Sequence, residues 1–266
     1  MDLHLAGKRA LVTGGSRGIG LACARQLARE GCAVMLAARD NVALEAAARS
    51  IATETGAKVA TSLVDTASDA SVRAMVHAAS EQLGGVDILV NAAAKVAGQA
   101  PPPKLAEITD ELFWDDVNVK VMGYLRCARE VAPLMAAQGG GRIVNISGLA
   151  ARQTGSAIGS IRNVGVAALT KNIADELAPH RITAVTVHPG LTRTEKTGPL
   201  VASRAAASGQ TPEAVEAAMA AYAALGRLVT AEEVADLVAF LASPRSVCIN
   251  GDAIACGGGV RGPIHY

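Results

Sequence analysis

The feature that most constrains this chain is the glycine-rich turn at residues 13–20, Thr-Gly-Gly-Ser-Arg-Gly-Ile-Gly. It follows a short apolar run and opens a helical pattern that continues to Arg29. A strand, a glycine turn and a helix N-terminus form an anion site, because backbone N–H groups converge there and the helix dipole adds partial positive charge. Gly14 permits the tight turn, Gly18 lets a pyrophosphate approach the backbone, and Gly20 lets helix and strand pack closely. We therefore predict a dinucleotide site, with a bare turn as the alternative.

Composition narrows the class of protein. Of the 266 residues, 50% are hydrophobic but 2% aromatic, so the core must be packed with aliphatic side chains. A formal net charge of +1 gives no basic field for nucleic acid. No apolar run approaches the ~18 residues that a membrane span needs, and Asp2, His4 and Lys8 do not suit a signal peptide. Five cysteines without C-x-x-C spacing indicate reduced thiols rather than a metal site. We expect a cytoplasmic protein with no metal and no nucleic-acid or membrane partner.

Apolar runs alternate with helical patterns, which predicts a parallel sheet with helices on both faces. The runs are continuous, as expected of strands buried on both sides. The predicted strands are Arg9–Val12, Ala33–Ala38, Lys58–Val64, Val86–Asn91, Arg142–Ile146, Arg181–Val187 and Ala253–Cys256. The predicted helices lie near 18–30, 41–55, 68–83, 106–137, 160–178 and 230–242. Thr230 and Glu233 have the spacing of a capping box at the start of the last helix. We expect one domain over residues 1–266.

The segment 191–225 differs in composition from its surroundings. It is rich in Ala, Ser, Thr and Gly, and it lies between the sixth strand and the last helix. Insertions beyond the carboxyl ends of the strands are where open α/β sheets place ligand lids. We interpret 191–225 as a substrate lid inserted into the single domain. A surface helical pair with no part in binding is the alternative.

The end of the second strand bears on the choice between NAD and NADP. An acidic residue there would hydrogen-bond an adenosine ribose hydroxyl and favour NAD. Ala38 cannot do so, whereas Arg39 offers a fork of donors to a 2′-phosphate, and Arg17 in the glycine turn can close on the same phosphate. The pattern favours NADP, with NAD as the alternative, because surface arginines without a partner are common.

Two further strand ends carry polar residues. Asp65 closes the third strand. We expect its carboxylate to accept a hydrogen bond from the adenine amino group, with a cap on the next helix as the alternative. Asn91 closes the fourth strand, before three alanines that leave room for a ribose. With the glycine turn, the predicted cofactor contacts are Gly14, Ser16, Arg17, Gly18, Ile19, Gly20, Arg39, Asp65 and Asn91.

Further motifs extend this pattern along the chain. They are Asn91 after Ile88-Leu89-Val90, Asp116-Val117-Asn118 on a helix, Pro189-Gly190 after a strand, and the closing Gly251 with Gly257-Gly258. In order and spacing, the chain resembles the short-chain dehydrogenase/reductase family over about residues 5 to 259. The resemblance implies a single Rossmann-type α/β domain, a doubly wound sheet of seven parallel strands with helices on both faces, and a nicotinamide cofactor. It also implies that Thr192 and Thr194 hold the nicotinamide carboxamide and the diphosphate.

The resemblance implies a set of proton-transfer residues, and this sequence lacks some of them. Family members reduce a carbonyl or oxidise an alcohol with a tyrosine acid/base and a lysine four residues later. A serine orients the substrate oxygen, and an asparagine anchors a water relay. The matching positions here hold Gly159 and Asn163 for the tyrosine and lysine, and residues 149–170 contain neither type. The serine position falls on Gly148. The catalytic candidates that remain are Asn118 and Ser147.

Three functions are compatible with that departure. The favoured one is NADP(H)-dependent hydride transfer to or from a small carbonyl or alcohol substrate, with a proton donor from elsewhere in the chain. The second is a catalytically inactive NAD(P)-binding protein that acts as a sensor or partner subunit. The third is an elimination or isomerisation that does not use the hydride. The candidate donors are Arg152, Ser156, Ser160, Arg162, His188 and Tyr222.

The helical patterns at 106–137 and 160–178 carry long apolar faces. Surplus apolar surface on neighbouring helices predicts a four-helix interface in a homodimer or homotetramer, as the resemblance also implies. Burial against the chain's own sheet is the alternative. The substrate pocket is expected between the Pro101 loop, residues 149–158 and the lid. The residues of these segments are mostly small and uncharged, which suits an apolar or cyclic substrate.

Overall fold

A seven-stranded parallel sheet forms the centre of the molecule. The computed structural model describes residues 1–95 and 102–262, so Pro101 lies outside the described residues. The strand order is β3-β2-β1-β4-β5-β6-β9, with each neighbouring pair parallel. These strands are β1 (Arg9–Thr13), β2 (Ala33–Ala38), β3 (Val59–Leu63), β4 (Ile88–Asn91), β5 (Gly141–Ile146), β6 (Ile182–Pro189) and β9 (Ala253–Cys256). Two short strands, β7 (Thr192–Arg193) and β8 (Val229–Thr230), pair separately.

Helices cover both faces of the sheet. Their bounds are α1 (Gly18–Arg29), α2 (Asn41–Thr55), α3 (Asp69–Leu83), α4 (Asp110–Val117), α5 (Gly123–Ala137), α6 (Ala157–Leu177), α7 (Thr197–Ser208), α8 (Pro212–Ala220) and α9 (Ala231–Ala242). Buried aliphatic side chains of α1, α2 and α9 form one layer of the core, and those of α3, α5 and α6 form the other. Alternate strand residues supply the two layers: Val12 faces the first and Leu11 the second. The predicted single α/β domain is confirmed.

All seven predicted strands are present, within two residues at each end. The capping box is also confirmed, because the Thr230 side chain accepts from the Glu233 N–H at 3.2 Å and the Glu233 carboxylate accepts from the Thr230 N–H at 2.9 Å. The predicted helix at 106–137 differs. It is divided into α4 and α5 by one π-helical turn, Asn118–Met122. A π turn holds one residue more than an α turn, so it changes which side chains face inward.

The segment 191–225 contains β7, α7 and α8. These helices share a small apolar cluster of their own, separate from the two layers on the sheet. Its buried members are Val201, Ala205, Val215, Met219 and Leu228. In the described part of the chain, no helix is both long enough and apolar enough to cross a membrane.

Candidate dinucleotide and substrate site

A cleft of about 1210 Å³ opens at the carboxyl ends of the strands. β1 pairs with β2 on one side and with β4 on the other, so the strand order reverses there. Open α/β sheets bind ligands at such a reversal. The glycine turn lines one end of the cleft, Ala92–Ala94 line its middle, and residues at the end of β5 and on α6 line its far wall. The 191–225 segment also borders the cleft, and it starts beside the glycine turn.

The glycine turn has the geometry that the sequence predicted. Gly14 has φ +67°, and a Cβ there would lie 2.8 Å from the Ala92 backbone. At Gly20 a Cβ would lie 2.2 Å from the Gly14 carbonyl oxygen, so α1 packs against the turn only through a glycine. Gly18 has φ +54° and open space beside it, with Thr194 Cγ2 the nearest atom at 3.6 Å. The turn is therefore tight at its base and open at the N-terminus of α1.

An anionic group already lies against this turn. The Gly18 N–H donates to the Glu195 carboxylate at 3.2 Å. That carboxylate oxygen stands where a phosphate oxygen would accept from the same N–H, which is the chemistry expected at a helix N-terminus. Thr192 and Thr194, on the same segment, also line the cleft. The residues present therefore fit a diphosphate group bound between the glycine turn and the start of the 191–225 segment.

Two arginines line the cleft, one in the glycine turn and one after β2. Arg17 and Arg39 both line it, and Arg17 forms an ion pair with Asp40. Asp40 also caps α2 by accepting from the Ala43 N–H at 3.1 Å. Asp65 lines the cleft nearby, and one carboxylate oxygen accepts from the Ala67 N–H at 3.0 Å. Ser68, not Asp65, caps α3.

Asn91 lies beneath the cleft rather than in its wall. It is fully buried, and its Nδ2 donates to Asn145 Oδ1 at 2.9 Å. Asn145 Nδ2 donates in turn to Thr170 Oγ1 at 2.9 Å, and the Thr13 hydroxyl donates to Asn91 Oδ1 at 3.4 Å. The structure thus gives Asn91 a role in a buried network that links β1, β4, β5 and α6. The three alanines that follow Asn91 line the cleft, and the cofactor contact of Asn91 stays a prediction.

Three polar side chains from different elements converge in the far wall of the cleft. They are Lys120 on the π turn, Ser147 after β5 and Asn163 on α6, and they are 4%, 8% and 3% exposed. Lys120 Nζ donates to the Ser147 carbonyl oxygen and to Asn163 Oδ1, both at 3.0 Å. Ser147 Oγ donates to the Asn163 carbonyl oxygen at 3.0 Å. A Cβ at Gly148 would lie 3.1 Å from the Asn163 amide nitrogen, so this glycine makes room for it.

The charge on Lys120 is strongly affected by its surroundings. Burial, together with the nearby Arg162 guanidinium, lowers the pKa of the amine to about 7, while Asp116 acts in the opposite direction. Arg162 is itself buried and pairs with Asp116 at 2.5 Å. Its Nε has no hydrogen-bond partner within the described residues. The far wall of the cleft therefore combines a titratable amine with a fixed guanidinium–carboxylate pair.

Asn118 does not reach this wall. Its Oδ1 accepts from Arg126 at 2.8 Å, and the residue borders a separate surface depression beside Trp114 and Met122. Although both residues belong to the π turn, Lys120 borders the cleft and Asn118 borders the depression. The structure thus places the Asn118 side chain against Arg126, and its catalytic role stays a prediction. The sequence analysis does not single out Lys120, although a lysine between two valines, Val119 and Val121, was a readable signal.

The other predicted proton donors are mostly engaged elsewhere. Ser156 caps α6, Ser160 donates to the Gln153 carbonyl oxygen at 2.9 Å, and Arg152 donates to the Ala253 carbonyl oxygen at 2.8 Å. His188 Nδ1 accepts from the Gly148 N–H at 3.3 Å. Of the six candidates, Arg162 and Tyr222 line the cleft. Tyr222 is 66% exposed at its rim.

Known proteins are similar to this chain in sequence and in fold. A family model described as enoyl-(acyl carrier protein) reductase matches residues 14–261. A putative ketoacyl reductase of the monensin polyketide synthase from Streptomyces virginiae is 38% identical over 255 residues, covering 94% of this chain and 95% of the relative.

Two solved structures extend the comparison. L-sorbose reductase from Gluconobacter frateurii, complexed with NADPH and L-sorbose, is 30% identical with a TM-score of 0.92, covering 99% of this chain and all of that one. A short-chain type dehydrogenase/reductase from Mycobacterium marinum is 31% identical with a TM-score of 0.86, covering 98% of each chain. The chain therefore belongs to the short-chain dehydrogenase/reductase family of oxidoreductases.

Proposed function

We propose that this protein reduces a small ketone or aldehyde, or oxidises the corresponding alcohol, with NADP(H). The observation that carries the proposal is the cleft, in which a diphosphate-binding turn at one end continues to a wall of polar side chains at the other. The bound cofactor would supply the hydride at its nicotinamide carbon. The protein would hold the diphosphate at Gly18 and Thr194 and exclude water by means of the 191–225 segment.

NADP is favoured over NAD by the adenosine end of the cleft. Arg17 and Arg39 flank the place where the 2′-phosphate of NADPH would lie, and guanidinium groups bind phosphate with charge-assisted hydrogen bonds. The Asp40 carboxylate is committed to Arg17 and to the cap of α2. The complex of the Gluconobacter frateurii reductase with NADPH supports the same choice.

The enzyme is atypical in its proton-transfer group. Gly159 and Asn163 occupy the positions on α6 at which the family resemblance implies a tyrosine and a lysine. Asn163 accepts from Lys120 on a neighbouring element, so an amine is present in this wall although it comes from another part of the chain. The alkoxide that hydride transfer produces still needs a donor at this end of the cleft.

A screen of substrates tests the proposal. Purified protein is mixed with NADPH and with ketones, aldehydes and β-ketoacyl thioesters, and the nicotinamide absorbance is followed. We expect turnover with at least one carbonyl class, and slower turnover with NADH because it lacks the 2′-phosphate. Tight binding of NADPH with no turnover on any class would overturn the proposal in favour of an inactive NAD(P)-binding sensor or partner subunit.

A further inference from the structure

Among the residues that the structure describes, Lys120 is the only buried lysine, and it lines the cleft. Its nitrogen has two fixed acceptors, the Ser147 carbonyl oxygen and Asn163 Oδ1. An ammonium has three N–H donors and a neutral amine has two. Both protonation states therefore satisfy both acceptors. The remaining position on the nitrogen carries an N–H in one state and a lone pair in the other, so the proton can leave without breaking either bond.

The two acceptors also fix where the nitrogen lies. Ser147 is held by its own hydrogen bond to the Asn163 backbone, and Asn163 is held on α6. Preorganised donors of this kind act on developing charge without having to reorient during the reaction. A lysine on a flexible surface helix has no such constraint.

We infer that Lys120 is the proton donor in carbonyl reduction, an assignment that rests on the proposed function. As the hydride reaches the carbonyl carbon, the C=O π electron pair moves to the oxygen. One N–H bond of Lys120 breaks and an O–H bond forms. The products are the alcohol, the oxidised cofactor and a neutral amine, which takes a proton back from water. In the alcohol-oxidising direction the amine accepts the proton that the ammonium otherwise gives.

The groups that face Lys120 suit this role. The charges of Arg162 on α6 and Asp116 on α4 both act on the Lys120 amine. His188 on β6 accepts a hydrogen bond from Gly148, the residue after Ser147. Burial and the Arg162 charge bring the pKa of the amine to about 7. General acids work best when their pKa lies near the working pH. An ordinary lysine, with a pKa near 10.4, would hold its proton too strongly.

Kinetics of Lys120→Met, with Lys171→Met as the matched control, test the assignment. Lys171 lies on α6 with its side chain exposed and paired to Asp175. General acid catalysis contributes roughly 10²- to 10⁴-fold, so we expect kcat to fall at least ~100-fold for Lys120→Met and to stay unchanged for Lys171→Met. The Kd for NADPH should change by less than about twofold in both, because a proton donor does not hold the cofactor. Lys120→Gln, which keeps a hydrogen-bond donor, serves as a second variant if the methionine variant folds poorly.

The pH profile and a stability measurement separate this role from a structural one. For wild type, the kcat for reduction should fall as the pH rises through about 7, as the ammonium is lost. Without any substrate, wild type should gain thermal stability relative to Lys120→Met between about pH 7 and 10. The sign follows because the unfolded chain keeps the lysine proton over that range while the native state has lost it.

Each outcome decides the assignment. A flat stability difference over that pH range, or a raised Kd for NADPH with kcat preserved, would overturn it; the second result would show a residue that holds the cofactor ribose. Absence of turnover by wild type on every carbonyl class would overturn the proposed function and this assignment together. Turnover by wild type that persists in Lys120→Met would overturn this assignment alone.

Discussion

Glu195 competes for the N–H group that a cofactor diphosphate would use. Its carboxylate accepts from Gly18 at 3.2 Å, and a second negative charge in that place would be repelled. We expect Glu195→Gln to lower the Kd for NADPH about tenfold, equivalent to ~1.4 kcal/mol. The measurement is a fluorescence titration of NADPH. Glu216→Gln is the control, because Glu216 belongs to the same segment but pairs with Arg193 outside the cleft lining. An unchanged Kd for Glu195→Gln would show that the carboxylate moves aside at no cost.

Arg39 sets the cofactor preference in our proposal. We expect Arg39→Ala to raise the Kd for NADPH at least ~10-fold and to leave the Kd for NADH unchanged, because the phosphate that the guanidinium would bind is absent from NADH. Calorimetric titration with both cofactors measures the difference. Arg49→Ala on the exposed face of α2 is the control. Equal losses for both cofactors would contradict a role in 2′-phosphate recognition.

The residues that sequence reasoning located correctly are those whose role is steric. Gly14 and Gly20 could be assigned because only a glycine fits a positive φ or a 2.2 Å approach to a carbonyl oxygen. Asn91 and Asn118 were assigned from their places in motifs, but which way a side chain points depends on local register. Nothing in the sequence indicates that the Glu195 carboxylate would lie against the glycine turn.

At the scale of elements, the sheet was predictable and one helix was not. The strands are continuous apolar runs, so their positions follow directly from burial on both faces. The pattern at 106–137 was interpreted as one α-helix with a constant 3.6-residue period. The π turn at 118–122 breaks that period, and it is there that Lys120 enters the cleft wall.

Helices α7 and α8 should open independently of the sheet. α7 and α8 bury their apolar residues mainly in a small cluster of their own, and elements with few buried contacts open at a lower free energy than the core. We expect amides in α7 and α8 to exchange hydrogen at least ~10-fold faster than those in α6, and NADPH to slow that exchange. Met219→Ala should speed exchange in α7 and α8 alone. Uniform exchange across α6, α7 and α8, with or without NADPH, would contradict the lid interpretation.

At the scale of the whole molecule, an apolar surface on α4, the π turn and α6 predicts self-association. The exposed side chains that form it are Leu112, Trp114, Met122, Ile161 and Val164. α4, the π turn and α6 pack against one another, so these side chains lie on neighbouring elements. A homodimer related by a two-fold axis would bury the same surface on both copies.

Light scattering at micromolar concentration measures that association. We expect a dimer or tetramer for wild type and a smaller species for the double variant Ile161→Glu with Val164→Glu, because a buried unpaired carboxylate is costly. Val42→Glu on α2, 80% exposed on another face, should leave the molecular mass unchanged. A monomeric wild type at that concentration would refute the prediction.

The π turn at 118–122 also limits which deletions this chain can tolerate. α4 directs Asp116 toward Arg162, while α5 directs Tyr124 into the interior, where its hydroxyl donates to the Ile146 carbonyl oxygen at 2.8 Å. One extra residue lets both orientations coexist. Deletion of a single residue from this turn would rotate one helix relative to the other by about 100°. Such a deletion would therefore break either the Asp116–Arg162 ion pair or the hydrogen bond from the Tyr124 hydroxyl.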